Sequence, residues 1–309
     1  MAEMFYQRDV YGETLVELGK SNKDIIVLDA DLSGSTRTKL FAKEFPERFF
    51  NFGVAEQNMM ASAAGFASCG KTVFVSTFAI FATGRAWDQA RNSVSYNNFN
   101  VKIVATHAGL TVGPDGASHQ ALEDIALMRV IPNMKIIVPC DGPQAREAII
   151  TAATTPGPFY VRLGRAKVPT IENKGEFKFA RAQVLSSGKD VTIIACGVMV
   201  ERALAAVKNL AAVRIQAGVI NMHTIKPLDT ESVIKAARSS RSIVVCEEHS
   251  VVGGLASAID EIVAESHPIK VLRLAIKNRF GQSGSPDELL KEYNLTTSDI
   301  EKAAIASLV

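Results

Sequence analysis

The chain has 309 residues, of which 47% are hydrophobic and 21% are charged, and its formal net charge at pH 7 is +2. This length favours two domains that bury their own cores without crosslinks, and the composition is typical of a folded protein rather than a disordered one. The near balance of charges, without a dense basic run, predicts neither a nucleic-acid partner nor a membrane partner.

Short β-rich runs alternate with Ala-rich helical stretches along the chain, which indicates an α/β fold with mostly parallel sheets covered by helices. In the first half the expected strands are apolar along most of their length, as strands buried on both faces should be. They span residues 24–29, 72–76, 101–106, 135–139 and 159–163. Helices are expected between them at 56–68 and 84–94.

A polar stretch at residues 167–189 interrupts this alternation and predicts a domain boundary. We therefore expect a first domain at 1–172, a linker at 173–188 and a second α/β domain at 189–309. The strands expected in the second domain span 191–195, 214–220, 242–246 and 270–274, and a helix is expected at 253–264.

The terminal and cysteine patterns indicate the compartment. The first residues have neither a basic start nor an apolar run, so no secretion signal is expected, and no apolar stretch reaches the roughly 18 residues that a membrane-spanning helix needs. The four cysteines lie far apart, so we expect reduced, buried thiols in a cytoplasmic protein. No zinc-type spacing of Cys and His occurs, so this chain alone is not expected to hold a metal.

Two short segments carry candidate site residues. Glu56 lies at an expected helix start among apolar neighbours, where a buried carboxyl group could donate a proton, although a first-turn glutamate can simply complement the helix dipole. Phe78 and Phe81 are three residues apart, so their rings would share one face of a helical turn. They could clamp a planar ligand, but core packing explains most such pairs.

A Gly-rich loop at residues 106–120 follows an expected strand, which is where active-site loops of open α/β sheets lie. It contains His107, Asp115 and His119, residue types suited to acid–base chemistry near neutral pH. Elsewhere, His249 follows two glutamates and is expected to position a helix or an interface. Other side chains could bind an anionic substrate if the fold gathers them: Arg8, Ser35, Arg37, Arg162 and Arg165.

Taken together, ordered motifs along nearly the whole chain resemble the C-terminal section of a transketolase. They lie at residues 30–35, 51–60, 76–88, 106–124, 131–134, 159–169, 225–229, 247–254 and 280–284. The resemblance implies two three-layer α/β domains, a thiamine-diphosphate pyrimidine-binding domain followed by a smaller transketolase C-terminal domain. It also implies transfer of a two-carbon ketol unit between sugar phosphates.

The resemblance assigns roles to most of the candidate residues. Glu56 matches the glutamate that hydrogen-bonds the aminopyrimidine ring of the cofactor and favours its imino tautomer. Phe78 and Phe81 match aromatics that stack against that ring. His119 matches a histidine near the reacting carbons. Asp115 matches the residue that binds the sugar C2 hydroxyl. The positions that match those holding the substrate phosphate are His107, Arg165, Arg8 and Ser35. The residues expected to be catalytic are Glu56, His119 and His107.

Two positions depart from the pattern of full-length transketolases. Gly84 stands where a third aromatic residue is common, which implies a looser cofactor pocket. Pro114 stands where those proteins often have glutamate, which bears on donor and acceptor preference.

The resemblance further implies a partner. Family members hold the diphosphate and its Mg²⁺ (or Ca²⁺) through an N-terminal domain that carries a G-D-G motif, and this chain has no G-D-G. We therefore expect a separate N-terminal-section subunit, an α2β2 assembly, and activity only with that partner.

Three alternatives stay open at the sequence level. The first is half of a 1-deoxyxylulose-5-phosphate synthase, a family that usually has Asp-Arg where this chain has Thr106 and His107. The second is a 2-oxo acid dehydrogenase β subunit, whose His-bearing loop differs. The third is a non-catalytic or regulatory paralogue that binds sugar phosphates or a partner protein. The intact site residues argue against it: Glu56, His107, Asp115 and His119.

Overall fold

The structure, a computed structural model, describes residues 3–172 and 174–309. The strands of the first half are β1 Met4–Tyr6, β2 Ile25–Asp29, β3 Phe49–Asn51, β4 Thr72–Ser76, β5 Val101–Ala105, β6 Lys135–Ile137, β7 Phe159–Arg162 and β8 Lys167–Pro169. Those of the second half are β9 Gln183–Ser186, β10 Val191–Ala195, β11 Ala217–Asn221, β12 Thr224–Lys226, β13 Ser242–Ser250 and β14 Lys270–Ile276.

Eleven α-helices lie between and after these strands within the described residues. They are α1 Gln7–Ser21, α2 Ser33–Thr36, α3 Lys39–Glu44, α4 Glu56–Ser68, α5 Asp124–Arg129, α6 Gly142–Thr154, α7 Met199–Ala212, α8 Thr230–Ser239, α9 Leu255–Ser266, α10 Pro286–Glu292 and α11 Thr297–Ser307. Several begin at side-chain caps that satisfy their first N–H groups, such as Asp141 at α6 and Ser285 at α10.

The larger sheet has seven strands in the order β12-β6-β7-β5-β4-β2-β3. All its pairings are parallel except that of β12, which runs antiparallel to β6 with Thr224 opposite Ile137. Its central strands β2, β4 and β5 are buried at every residue, because helices cover both faces. Their carboxyl ends therefore meet at one edge, where the loops after β4 and β5 lie side by side.

The smaller sheet has five strands in the order β14-β13-β10-β11-β9, all parallel except β9. A separate antiparallel pair of β1 and β8 joins the N-terminus to the end of the first domain. The two sheets share one hydrophobic core cluster, which contains Ile103 of β5 and Ile194 of β10. The two halves of the chain are thus packed tightly together.

The expected α/β class is confirmed, and β4, β10 and α4 have the expected bounds. The segment 84–94 is largely helical as expected, but it forms two π-helices, Phe81–Arg85 and Gln89–Ser95, that are separated by a turn at residue 86. Strand β9 lies inside the stretch 173–188 that was expected to be a linker, and the domain boundary itself stays a prediction.

Other expectations concern the cysteines and the compartment. Cys69 is exposed, so the expectation of four buried thiols is wrong for this residue, because it follows α4 at the surface. Across residues 3–172 and 174–309, none of the helices has both the length and the apolar character needed to cross a membrane. The cytoplasmic location stays a prediction.

Candidate active site

The loops after β4 and β5 bring the predicted site residues together. Phe78 and Thr106 form a parallel β-bridge beyond the ends of these two strands, and the N–H of Ala79 donates to the carbonyl of Thr106 at 2.8 Å. This bridge fixes the start of the aromatic segment beside the start of the His loop, which we define as residues 106–120. Two segments that the sequence separates by about 30 residues thereby form one surface.

Glu56 is the first residue of α4, and only 3% of it is exposed. Its Oε2 is buried and has no hydrogen-bond partner among the described residues. The nearest cation, Arg85 Nη1, lies 3.8 Å from that oxygen on a side chain that is 57% exposed. A carboxylate that only complemented the helix dipole could do so from solvent, so its burial without a partner favours a role in binding a ligand.

Four aromatic side chains form what we call the ring cluster: Phe78, Phe81, His107 and His119. The rings of Phe78 and Phe81 are stacked, with centroids 6.1 Å apart and an angle of 15° between their planes. His107 stacks on Phe78 at 3.8 Å, and His119 turns its edge to Phe81 at 5.5 Å. The structure thus joins aromatics and histidines that were predicted from separate motifs.

His107 is electrically neutral at physiological pH. Burial, together with the charges of Arg8, Arg165 and His119, lowers its pKa to about 3. Its Nδ1 shares a hydrogen bond with the Thr106 hydroxyl at 2.8 Å, so Nε2 is the nitrogen through which it would bind a ligand. Its φ of 58° lies in the left-handed region, which a histidine enters at some cost and which is common at functional sites.

Two of the predicted cations converge on this histidine. Burial, reinforced by the charge of Arg37, lowers the pKa of Arg8, and Nη1 of Arg8 donates to the Ser35 carbonyl at 3.5 Å. Arg165 Nη1 lies 3.9 Å from Asp115 in the His loop. The structure therefore places Arg8, Ser35, Arg165 and Asp115 around one region, as an anion-binding role requires.

Arg162 does not join this group, whereas Arg37 lies close enough for its charge to act on Arg8. Arg162 is buried, and its Nε donates to Asp124 at 2.6 Å, so the suggestion that it binds an anionic substrate is wrong. Burial alone would raise the pKa of Asp124, but the charge and hydrogen bonds of Arg162 outweigh it and lower that pKa. Arg37 Nε pairs with Asp9 at 2.5 Å, which engages its charge.

Sequence reasoning also missed residues that support the site. Gln120 donates from Nε2 to the carbonyls of Leu110 at 3.1 Å and Gln282 at 3.0 Å. Glu248 of β13 accepts a hydrogen bond from the N–H of Thr111 in the His loop. A buried polar residue in an otherwise apolar strand is the signal that could have identified such contacts, but it does not identify the partner.

The space around Gly84 and the placement of possible metal ligands are the remaining features predicted from the sequence. A Cβ atom at Gly84 would meet no described atom within 4 Å outside its own helical turn and chain neighbours, so there is open space at that position. Where the structure describes the chain, it shows no group of three or more His, Cys, Asp or Glu side chains placed to hold a metal ion.

The fold and site define a two-domain α/β chain whose first domain is of the pyrimidine-binding type. Residues 4–170 match the family model for the transketolase pyrimidine-binding domain, and residues 180–300 match that for the transketolase C-terminal domain. The chain therefore belongs to the transketolase family. Enzymes of this family are transferases that generally use thiamine diphosphate and a divalent metal.

Individual relatives agree with this assignment. The chain is 52% identical to a protein named as a transketolase C-terminal section from Methanocaldococcus jannaschii, across 96% of this chain and 94% of that protein. It is 39% identical to the 6-deoxy-6-sulfo-D-fructose transketolase subunit SqwH of Clostridium sp. strain MSTE9, across 98% and 94% of the two chains. It is 38% identical to the transketolase of Homo sapiens, across 96% of this chain but only 48% of that protein.

Solved structures share the architecture. A split-gene transketolase described as an inactive β4 tetramer superimposes with a TM-score of 0.91 at 50% identity, and 98% of each chain is covered. The transketolase of Campylobacter jejuni has the same fold, with a TM-score of 0.84 at 24% identity, and this chain spans 47% of its length.

Proposed function

We propose that this chain is one subunit of a split transketolase, which transfers a two-carbon ketol unit between sugar phosphates with thiamine diphosphate. The observation that carries the proposal is the buried Oε2 of Glu56, which has no hydrogen-bond partner among the described residues and lies in a pyrimidine-binding domain. A buried acceptor without a partner costs about 1–3 kcal/mol, so a ligand that donates to it would recover that energy.

The residues present fit the pyrimidine half of the cofactor. Glu56 would accept a hydrogen bond from the aminopyrimidine, and Phe78 and Phe81 would pack their stacked rings against it. Bound thiamine diphosphate supplies the carbanion chemistry that breaks and forms a bond next to a carbonyl carbon. Glu56 itself holds the ring in the tautomer that this chemistry requires.

The His loop and the two arginines would bind the sugar phosphate. His119 lies at the edge of the ring cluster and is only partly buried, so it can exchange a proton with a substrate hydroxyl. Asp115 would accept a hydrogen bond from a sugar hydroxyl. Arg8 and Arg165 would supply charge to the phosphate, whereas the neutral His107 would supply a hydrogen bond through Nε2.

The diphosphate and its metal belong, in this proposal, to a partner subunit that carries the N-terminal section. The split-gene relative of known structure, named as an inactive β4 tetramer, supports the view that such a chain assembles without its partner but does not react. The Clostridium relative is itself named as a transketolase subunit, which supports the same division into separate chains. We propose an α2β2 assembly with Mg²⁺ or Ca²⁺ bound by the partner.

The test mixes the purified chain with its N-terminal-section partner, thiamine diphosphate and Mg²⁺. Ketol transfer from xylulose 5-phosphate to ribose 5-phosphate is followed, with each chain alone as a control. We expect activity only in the mixture. Full activity of this chain alone would contradict the split arrangement, and carbon dioxide release from pyruvate and glyceraldehyde 3-phosphate in place of ketol transfer would contradict the transketolase proposal.

A further inference from the structure

The buried end of β13 carries three consecutive polar residues whose side chains contact different parts of the molecule. Glu247 accepts hydrogen bonds from the N–H groups of Leu255 at 2.7 Å and Ala256 at 2.9 Å, and so caps the start of α9 within the second domain. The next two residues contact the first domain instead. Nε2 of His249 accepts from the N–H of Ala126 in α5 at 3.3 Å.

Glu248 contacts the His loop itself. Its Oε1 accepts the N–H of Thr111 at 2.5 Å, and its carboxylate lies flat against Gly109. A Cβ atom at Gly109 would come within 2.4 Å of the Glu248 Cδ, and Gly109 has a φ of +84°. Only glycine combines this backbone conformation with this close approach.

A second segment of the same domain, residues 281–284, lies against the far end of the loop. The carbonyl of Gln282 accepts from Gln120 Nε2 at 3.0 Å. A Cβ atom at Gly281 would lie 1.8 Å from Gln120 Oε1, and one at Gly116 would lie 2.7 Å from Ser283 Oγ. The second domain therefore contacts both ends of the His loop closely.

The loop needs such support because its own sequence orders it poorly. Gly109, Gly113 and Gly116 all have positive φ, and each glycine loses more conformational freedom on folding than any other residue. Asp115 lies between the last two of these glycines. An external contact that fixes the loop would fix this side chain too.

We propose that the second domain positions the His loop and that Glu248 is its positioning residue. Glu248 acts through the N–H of Thr111, and the contacts of residues 281–284 support the other end. His119 is thereby held at the ring cluster and Asp115 beside Arg165. The consequence for catalysis rests on the function proposed above, whereas the ordering of the loop does not.

The test compares Glu248→Ala, Glu248→Gln and the control Glu247→Gln. The control changes an equally buried glutamate of the same strand, which caps α9 rather than contacting the His loop. Backbone hydrogen exchange of residues 107–120 is measured in the full chain, and kcat and KM for the sugar phosphates are measured with the partner subunit. Binding of thiamine diphosphate is measured in parallel.

We expect exchange in the loop to be about tenfold faster in Glu248→Ala, because the buried hydrogen bond to the Thr111 N–H is lost. We also expect kcat/KM to fall roughly 100-fold, the size of effect that a displacement of about 1 Å can produce. Cofactor affinity should stay within about twofold, because Glu248 does not contact the ring cluster. Glu248→Gln keeps an oxygen that can accept the Thr111 N–H, so it should recover most of the loss.

Three results would overturn the inference: loop exchange unchanged by Glu248→Ala, loop exchange accelerated equally by Glu247→Gln, or faster exchange with unaltered kcat/KM. If Glu248→Ala does not fold, Glu248→Asp takes its place, because its side chain is one methylene shorter and draws the carboxylate away from the Thr111 N–H; unchanged loop exchange in that variant would overturn the inference. An inactive wild-type mixture whose loop is still loosened by Glu248→Ala overturns only the proposed function.

Discussion

Replacing Glu56 by glutamine separates the contribution of this residue to stability from its contribution to activity. Glutamine has the same shape but no charge. In the chain alone, the Oε2 of Glu56 is buried without a described partner, a state that costs about 1–3 kcal/mol. Removing the charge therefore should not lower the free energy of unfolding, and it is expected to leave it unchanged or raise it by about 1 kcal/mol.

The effect on activity should be opposite in sign. A hydrogen bond to a charged acceptor contributes about 1.5–3 kcal/mol, and about 1.4 kcal/mol corresponds to a tenfold change. If Glu56 accepts a hydrogen bond from the cofactor ring, Glu56→Gln should reduce ketol transfer by the mixed subunits roughly 10- to 150-fold. Glu56→Ala, which removes the acceptor altogether, should abolish cofactor activation.

The assay pairs urea denaturation of the chain alone with ketol transfer by the mixture. Arg85→Gln is the control, because the exposed Arg85 lies 3.8 Å from the same oxygen, beyond hydrogen-bond distance, and its solvated charge is expected to contribute little. If Glu56 served only this ion pair, Arg85→Gln would reproduce the loss of activity. Near-normal turnover of Glu56→Gln, or a stability loss above about 2 kcal/mol, would refute the argument.

Three further predictions concern the rest of the chain. Arg162→Met should lower the free energy of unfolding by about 3–5 kcal/mol in urea denaturation, because it leaves Asp124 charged and buried; a loss below about 1 kcal/mol would contradict the buried pair. Burial lowers the pKa of His107 to about 3 and of His223 to about 4, so the unfolded state binds more protons below pH 6.5. The stabilisation from these two neutral histidines should therefore be fully present above that pH and be lost as the pH drops, so the free energy of unfolding should fall by about 2 kcal/mol per histidine between pH 7 and pH 5. Equal denaturation midpoints at the two pH values would contradict this. Gly84→Ala should raise stability by about 0.4–1 kcal/mol, since its Cβ meets open space and the backbone φ is not positive; a lower melting temperature would show that the backbone there needs glycine.

The elements recovered best from the sequence are those whose pattern is local. Strand β4 and helix α4 have the expected bounds because an apolar run and an Ala-rich helical stretch each reflect burial within a few residues. The segment 84–94 was expected to be one helix; it is largely helical but forms two π-helices separated by a turn. Apolar periodicity indicates helical winding there, but packing around the turns selects the hydrogen-bonding pattern.

Strand β12 shows a different limit. Its three residues come from the second half of the chain, yet they pair with β6 in the sheet of the first half. So short a segment has no periodicity to interpret, and its pairing depends on strands that are about 90 residues away.

The candidate site likewise has features that the sequence predicts locally and features that depend on tertiary contacts. Residue types and ordered motifs, which are properties of the sequence itself, determined the α/β class, the family resemblance and the candidates Glu56, Phe78, Phe81 and His119. Only the tertiary structure decided that Arg162 forms a buried ion pair with Asp124, that His107 is neutral, and that Glu248 contacts the His loop. The physical reason is that charge, burial and hydrogen bonding at a site depend on distances between residues far apart in the chain, and folding alone sets those distances.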